Sequence, residues 1–249
     1  MRRTVIAPLL LLVSGAATAV AQSANPSTLA SQKGNCAVGV VSHLGEKFQV
    51  REQRGLFAEP KVSDVPVESW HLDDLVVDRI RGALGNRADV QRIPYHKEAL
   101  ALVEPRRDES RWLTLSRLFQ FDFAAVTRRL VAGTRCARYV LVTEGVHVDA
   151  DPRSLAGLGI AKGLGIIGMY VIIKAWVIDG ETFKVLNDPT ADARRRSTPA
   201  LFGTAPLLNE SFWPDPPHSA AQNAKLCEAA REMVAQDLDE ILPKLLPTL

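Results

Sequence analysis

The sequence is short of the groups that carry most enzyme chemistry. Three cysteines and five histidines are spread over 249 residues. No Cys-x-x-Cys occurs, which argues against a dithiol oxidoreductase or a structural zinc site. Gly-x-Ser-x-Gly, His-Glu-x-x-His and the Gly-Lys-Ser/Thr phosphate loop are absent, so the common hydrolase and nucleotide signatures are missing too. His43, His71, His96, His147 and His218 stand apart without ligand spacing. Charge of one sign is also lacking. The formal net charge of +2 includes Arg2 and Arg3. A chain cleaved after Ala21 therefore sums to about zero and carries no electrostatic footprint for nucleic acid or an anionic membrane. Arg194, Arg195 and Arg196 form a local basic cluster that reads as a solvated turn.

What is present describes an exported globular protein. Hydrophobic residues make up 47% and charged residues 23%, a composition that can bury a core. Arg2 and Arg3 precede an apolar run over residues 5–13, and Ala19, Val20 and Ala21 supply the small residues of a cleavage site. Residues 1–21 read as a signal peptide whose apolar run is too short to span a bilayer. The expected location is periplasmic or secreted. Residues 22–35 form a flexible lead-in, and 36–249 a single α/β domain. Export permits disulfides. Cys36 and Cys136 each precede a strand, and they can bridge if those strands are parallel neighbours. Cys227 falls on a helix as a small core residue.

Hydrophobic patterning gives the order of elements. Strands are expected over residues 36–41, 47–50, 89–93, 139–143, 169–178 and 183–186, with Asp179 and Gly180 as a tight hairpin turn. Residues 54–68 look irregular because of Pro60 and Pro66. Helices are expected from Leu72 to Ala83, with Ser69 as N-cap and Gly85 as stop, and over residues 121–131. A last helix follows from Ala220, with Ser219 and Gln222 as capping box and Pro243 as its end. Residues 96–103 and 112–118 are further helical candidates. The order β-(β)-α-β-α-β-β-β-α implies a mixed sheet of five to six strands with helices packed on it. Residues 188–217, rich in proline, form a long loop that packs down through Leu207, Leu208, Phe212 and Trp213.

Three segments carry a family resemblance. Residues 72–93 pass from a helix through Leu84, Gly85, Asn86 and Arg87 into a short strand. Residues 133–145 lead from Gly133 through Cys136 into the apolar strand at Tyr139. Residues 177–186 pair two strands around Asp179 and Gly180. This pattern resembles the small α/β domain shared by the N-terminal domain of TolB and the curli secretion channel subunit. The resemblance implies an envelope protein of assembly or interaction type, and it transfers no catalytic residue. The chain lacks the acylated cysteine of the channel subunit and the β-propeller of TolB.

Three functional classes follow. The first is a non-catalytic accessory protein that binds another envelope protein or itself through the glycine-rich segment 155–167. There Gly157, Gly159, Lys162, Gly163 and Gly165 interrupt or flank aliphatic residues. The segment reads as an extended, flexible connection. A membrane-spanning helix over residues 155–173 is the lesser alternative, because glycine weakens a helix by about 1 kcal/mol per residue relative to alanine. The second class is a solute-binding module lined by Trp176, Phe212 and Trp213. The third is a metal-dependent hydrolase, for which His147, Asp149 and Asp151 would share one face of a strand. The plainer reading of that trio is a strand running out into a polar turn. Likewise Asp73 and Asp74, next to His71, simply suit a helix N-terminus. No cofactor is expected.

Overall fold

One long strand, β7 (Ile166–Asp179), organises the sheet, because its two halves have different partners. The computed structural model describes residues 35–55, 59–95, 123–145, 155–189 and 207–249, all within the unit Lys33–Leu249. Before β7 come β1 (Asn35–Ser42), β2 (Phe48–Gln53), β3 (Lys61–Val65), α1 (Leu72–Leu84), β4 (Val90–Arg92), α2 (Phe123–Leu130), β5 (Arg135–Glu144) and β6 (Gly157–Gly163). After it come β8 (Val185–Asn187), β9 (Leu207–Leu208) and α3 (Ala224–Leu245).

The first half of β7 pairs antiparallel with β6 and the second half with β5. Gly145 N donates to Ile172 O at 2.7 Å and Gly157 N to Gly145 O at 2.9 Å, so β5 and β6 lie end to end along one edge of β7. The next row repeats this arrangement. There β1 runs parallel to β5, and β2 parallel to β6. Outermost are β4, parallel to β1, and β3, antiparallel to β2, while β8 and β9 pair with β7. Among the described residues this makes one mixed sheet of nine strands.

The mixed α/β class matches the expectation; the strand count is higher by β3, β6 and β9, whose sequences lack a strand pattern. Lys61–Val65 is a short, mostly exposed strand at the sheet edge, where flanking prolines cost no ladder hydrogen bond. Leu207–Leu208 is only 2 residues long. Gly157–Gly163 was hidden by its glycines.

Helices cover both faces beside β1. Val76, Ile80 and Leu84 of α1 and Leu226, Val234 and Leu238 of α3 join Val40, Phe48, Val140, Leu158 and Val177 in the larger core. On the other face Val126 and Leu130 of α2 meet Val41, Tyr139, Leu141, Trp176 and Ile178. Tyr139 is fully buried, and its hydroxyl accepts from Cys136 N and donates to Thr134 O, both at 3.1 Å.

Several boundaries differ from the expectation. The N-cap of α1 is His71, in left-handed backbone at φ 52°, rather than Ser69, which belongs to a preceding single turn. Arg231 of α3 fixes this turn by donating to Trp70 O at 2.6 Å and His71 O at 3.1 Å. Ser219 and Gln222 fall in a 3-10 turn; Asn223 caps α3 instead, accepting from Lys225 N and Leu226 N. Pro243 sits inside the helix, which runs on to Leu245. The loop after Asp179 is longer than a two-residue turn. Asp179 Oδ1 accepts from the N–H of Glu181 and Thr182, Phe183 takes φ 58°, and the strand resumes at Val185.

Half-buried Asp237 of α3 yields a pH prediction. Burial, with Glu240 adding to it, pushes its carboxyl up to about 6. The ordinary aspartate value is about 3.9. The folded state therefore binds this proton more tightly than the unfolded chain. Its contribution favours folding below about pH 4 and is lost as the pH rises through about 6. At neutral pH Asp237→Asn should raise the unfolding free energy by roughly 1–2 kcal/mol, after allowance for solvent screening. Urea titrations across this pH range would show a flatter profile in the variant, and parallel profiles would contradict the assignment.

Candidate functional site

The glycine-rich segment is not the flexible connection expected from its composition. Residues 157–163 are a strand held on both sides, by β2 and by β7. Gly157, Gly159 and Gly163 are buried, while Lys162 is half-buried, paired with Glu210 and 5.4 Å from the centre of the Trp213 ring. Glycine has a steric reason here. A Cβ on Gly159 would lie 2.3 Å from Tyr170 Oη and 2.6 Å from Gln49 O. The phenol crosses that position and donates to Gln49 Oε1 at 3.0 Å.

The hairpin closes tightly. Gly163 pairs with Ile166, and the two residues between them, Leu164 and Gly165, take φ 51° and 77°. Positive φ at both central positions is the type I′ turn, which favours Asn-Gly. Leucine here costs about 1–2 kcal/mol of backbone strain. Leu164 is nonetheless 67% exposed and Ile166 39%.

The aromatic residues expected to line a pocket are not brought together. Trp176 belongs to the core beneath α2, whereas Phe212 and Trp213 pack against the opposite core. Trp213 instead lines a separate cleft of about 150 Å³ with Glu52, Arg54, Lys61, Ser63 and Asp215. Cys36 and Cys136 occupy paired positions on β1 and β5, with Cα atoms 4.4 Å apart, and form a disulfide. Cys227 is a free thiol, shifted upward by burial. His147, Asp149 and Asp151 lie outside the described residues, as do residues 1–21, for which a signal peptide is expected. Among the described residues no three His, Cys, Asp or Glu side chains gather as a metal site, and no helix is long and apolar enough to cross a membrane.

A polar cleft that sequence reasoning passed over lies beside β1. The connection through α1 carries the chain to β4 on one side of β1. The strand on the other side is β5, reached after α2, and α1 and α2 pack on opposite faces. The cleft lies beyond the carboxyl ends of β1 and β4, the side of an open α/β sheet on which ligands bind. The segment following β1 supplies Gly45 and Glu46, the start of α1 supplies His71, Asp73 and Asp74, and the segment after β4 supplies Tyr95. The cleft they form with Glu68 and Arg92 is about 210 Å³.

Its walls are fixed by hydrogen bonds. Asp73 Oδ1 accepts from Ser42 Oγ at 2.6 Å and from Leu44 N at 2.8 Å, tying the exit of β1 to α1. Arg92 is bound to Asp74, and Asp74 Oδ2 lies 3.2 Å from His71 Nδ1. Buried His43 lies 2.8 Å from Tyr95 Oη through its Nδ1. Burial, then the charges of Asp73 and Glu46, raise the Tyr95 hydroxyl well above the ordinary phenol range. Tyr95 therefore stays neutral and acts as a hydrogen-bond donor. Asp73 and Asp74 thus do more than suit a helix dipole, and the sequence clue was the change from an apolar strand to Ser42, His43 and Glu46 at its end.

No family model, curated protein or solved structure matches the chain.

Proposed function

We propose that the chain is exported and works in the cell envelope by binding another protein, with the tip of the β6–β7 hairpin as its contact. The observation that carries this reading is Leu164, an apolar side chain held in water by a backbone conformation that leucine disfavours. Strain retained at an exposed position points to use. Two apolar side chains are far too small for a two-fold face, which takes about 800 Å² from each partner. They suit insertion into a pocket of a different protein, where a few anchoring side chains supply most of the affinity. The disulfide fits an oxidising compartment, as a signal peptide over residues 1–21 would require. The resemblance in element order to the TolB N-terminal domain and the curli channel subunit favours the same interaction class.

Leu164→Asn separates the contact from the fold. Asparagine tolerates the left-handed turn, so the purified variant should be as stable as the parent or up to about 1 kcal/mol more stable. In native gels of envelope extract the parent should migrate in a complex larger than itself, and the variant as a monomer. A variant that stays in the complex, or a parent that migrates alone, would sink the proposal.

A further inference from the structure

We infer that the cleft beyond the ends of β1 and β4 binds a small organic cation carrying primary ammonium groups. This goes beyond the hairpin contact and stands on a different part of the molecule. Two observations carry it: a cavity beyond the carboxyl ends of β1 and β4, and the sign of the charges facing it. A cavity of about 210 Å³ far exceeds the roughly 10–15 Å³ that admits one water. It suits a molecule of several heavy atoms rather than a bare ion. Gly45 leaves the cavity open on the β1 side, since a Cβ there would come within 3.2 Å of Asp73 Oδ2.

Charge selects the ligand class. Asp73, Asp74 and Glu68 line the cleft against one permanent cation, Arg92. Glu46 adds a further carboxylate beside Tyr95. Arg92 is already engaged by Asp74 and lies 3.8 Å from Asp73, so an anionic ligand would have to compete with both carboxylates for it. An ammonium group meets the opposite situation: its three donors find carboxylate acceptors, and charge-assisted hydrogen bonds are the strong ones. Tyr95 borders the same space as a neutral phenol and can place the rest of the ligand.

The probe is putrescine, a four-carbon diamine, titrated by calorimetry into the full-length protein after export, with succinate as the matched dianion. Saturable putrescine binding near one equivalent is expected. Glu68→Gln combined with Asp74→Asn should weaken it about tenfold or more, as two exposed carboxylates are neutralised. Arg92→Gln should tighten it severalfold, since the competing cation is gone. Circular dichroism of each variant keeps folding separate from binding. The inference is overturned if putrescine shows no saturable binding up to about 10 mM. Preference for succinate, or indifference of the putrescine affinity to all three substitutions, overturns it equally. Because Leu164 is absent from this cleft, Leu164→Asn should leave putrescine binding unchanged, so failure of one proposal does not decide the other.

Discussion

Removing the Cys36–Cys136 bridge should lower the unfolding free energy by roughly 3–5 kcal/mol. The two cysteines are 100 residues apart in sequence. Closing a loop of that size restricts the unfolded chain by up to about 4.7 kcal/mol in the chain-entropy treatment. Both residues are buried in the core beneath α2, beside Ile93 and Tyr139, so the reduced thiols would stay packed and the loss falls mainly on the unfolded state. Against a typical total stability of about 5–15 kcal/mol, this is a large share. Urea unfolding of the disulfide-bonded protein with and without reductant measures it directly. Coincident curves would show that the bridge does not constrain the unfolded chain.

Gly159→Ala should cost roughly 2–4 kcal/mol, although alanine is ordinarily the better residue in a strand. The new Cβ would meet the Tyr170 hydroxyl and the backbone oxygen of Gln49, and the second of these cannot swing aside. If Tyr170 moves, it abandons Gln49 Oε1, leaving the amide of a buried glutamine wholly unpaired, since its Nε2 already lacks a partner. A flexible connection predicts the reverse sign, because Gly→Ala in a loop stabilises by about 0.4–1 kcal/mol through the unfolded chain. The sign alone therefore decides between a strand and a loop. Thermal and urea unfolding of the variant both report it.

The outline of the fold was legible in the chain wherever burial and periodicity agree. Val38, Val40 and Val41 gave β1, and the apolar stripe through Val76 and Ile80 gave α1. Cys36 and Cys136 could be paired from their places before two strands, and the parallel register Cys36↔Cys136 bears that out. Composition misled where glycine was required by a neighbour far away in sequence. Gly159 packs beneath Tyr170 and beside Gln49, contacts no local pattern contains, so residues 157–163 looked mobile when they form an interior strand. Capping erred for a related reason. His71 starts α1 where Arg231 holds the chain by donating to its carbonyl, not where the best local capping sequence stands, whereas Asn223 caps α3 locally by accepting from Lys225 N and Leu226 N. The aromatic set is divided because the parity of β7 turns Trp176 into the core beneath α2, while Trp213, in the segment after β9, packs against the opposite core. The cleft was overlooked because its residues come from three segments joined only by the strand order.

The glycine-rich segment that looked like an arm thus narrows to a hairpin paired along β2, and its tip is the contact proposed for a partner. Site-specific photo-crosslinking in the cells that make the protein tests this most directly, with the reactive group at position 164 and a control on the exposed face of α3 at position 232. One discrete adduct is expected from position 164, heavier than the chain by the mass of a different protein, and none from position 232. No adduct from position 164, or one with the mass of two copies of this chain, would contradict it.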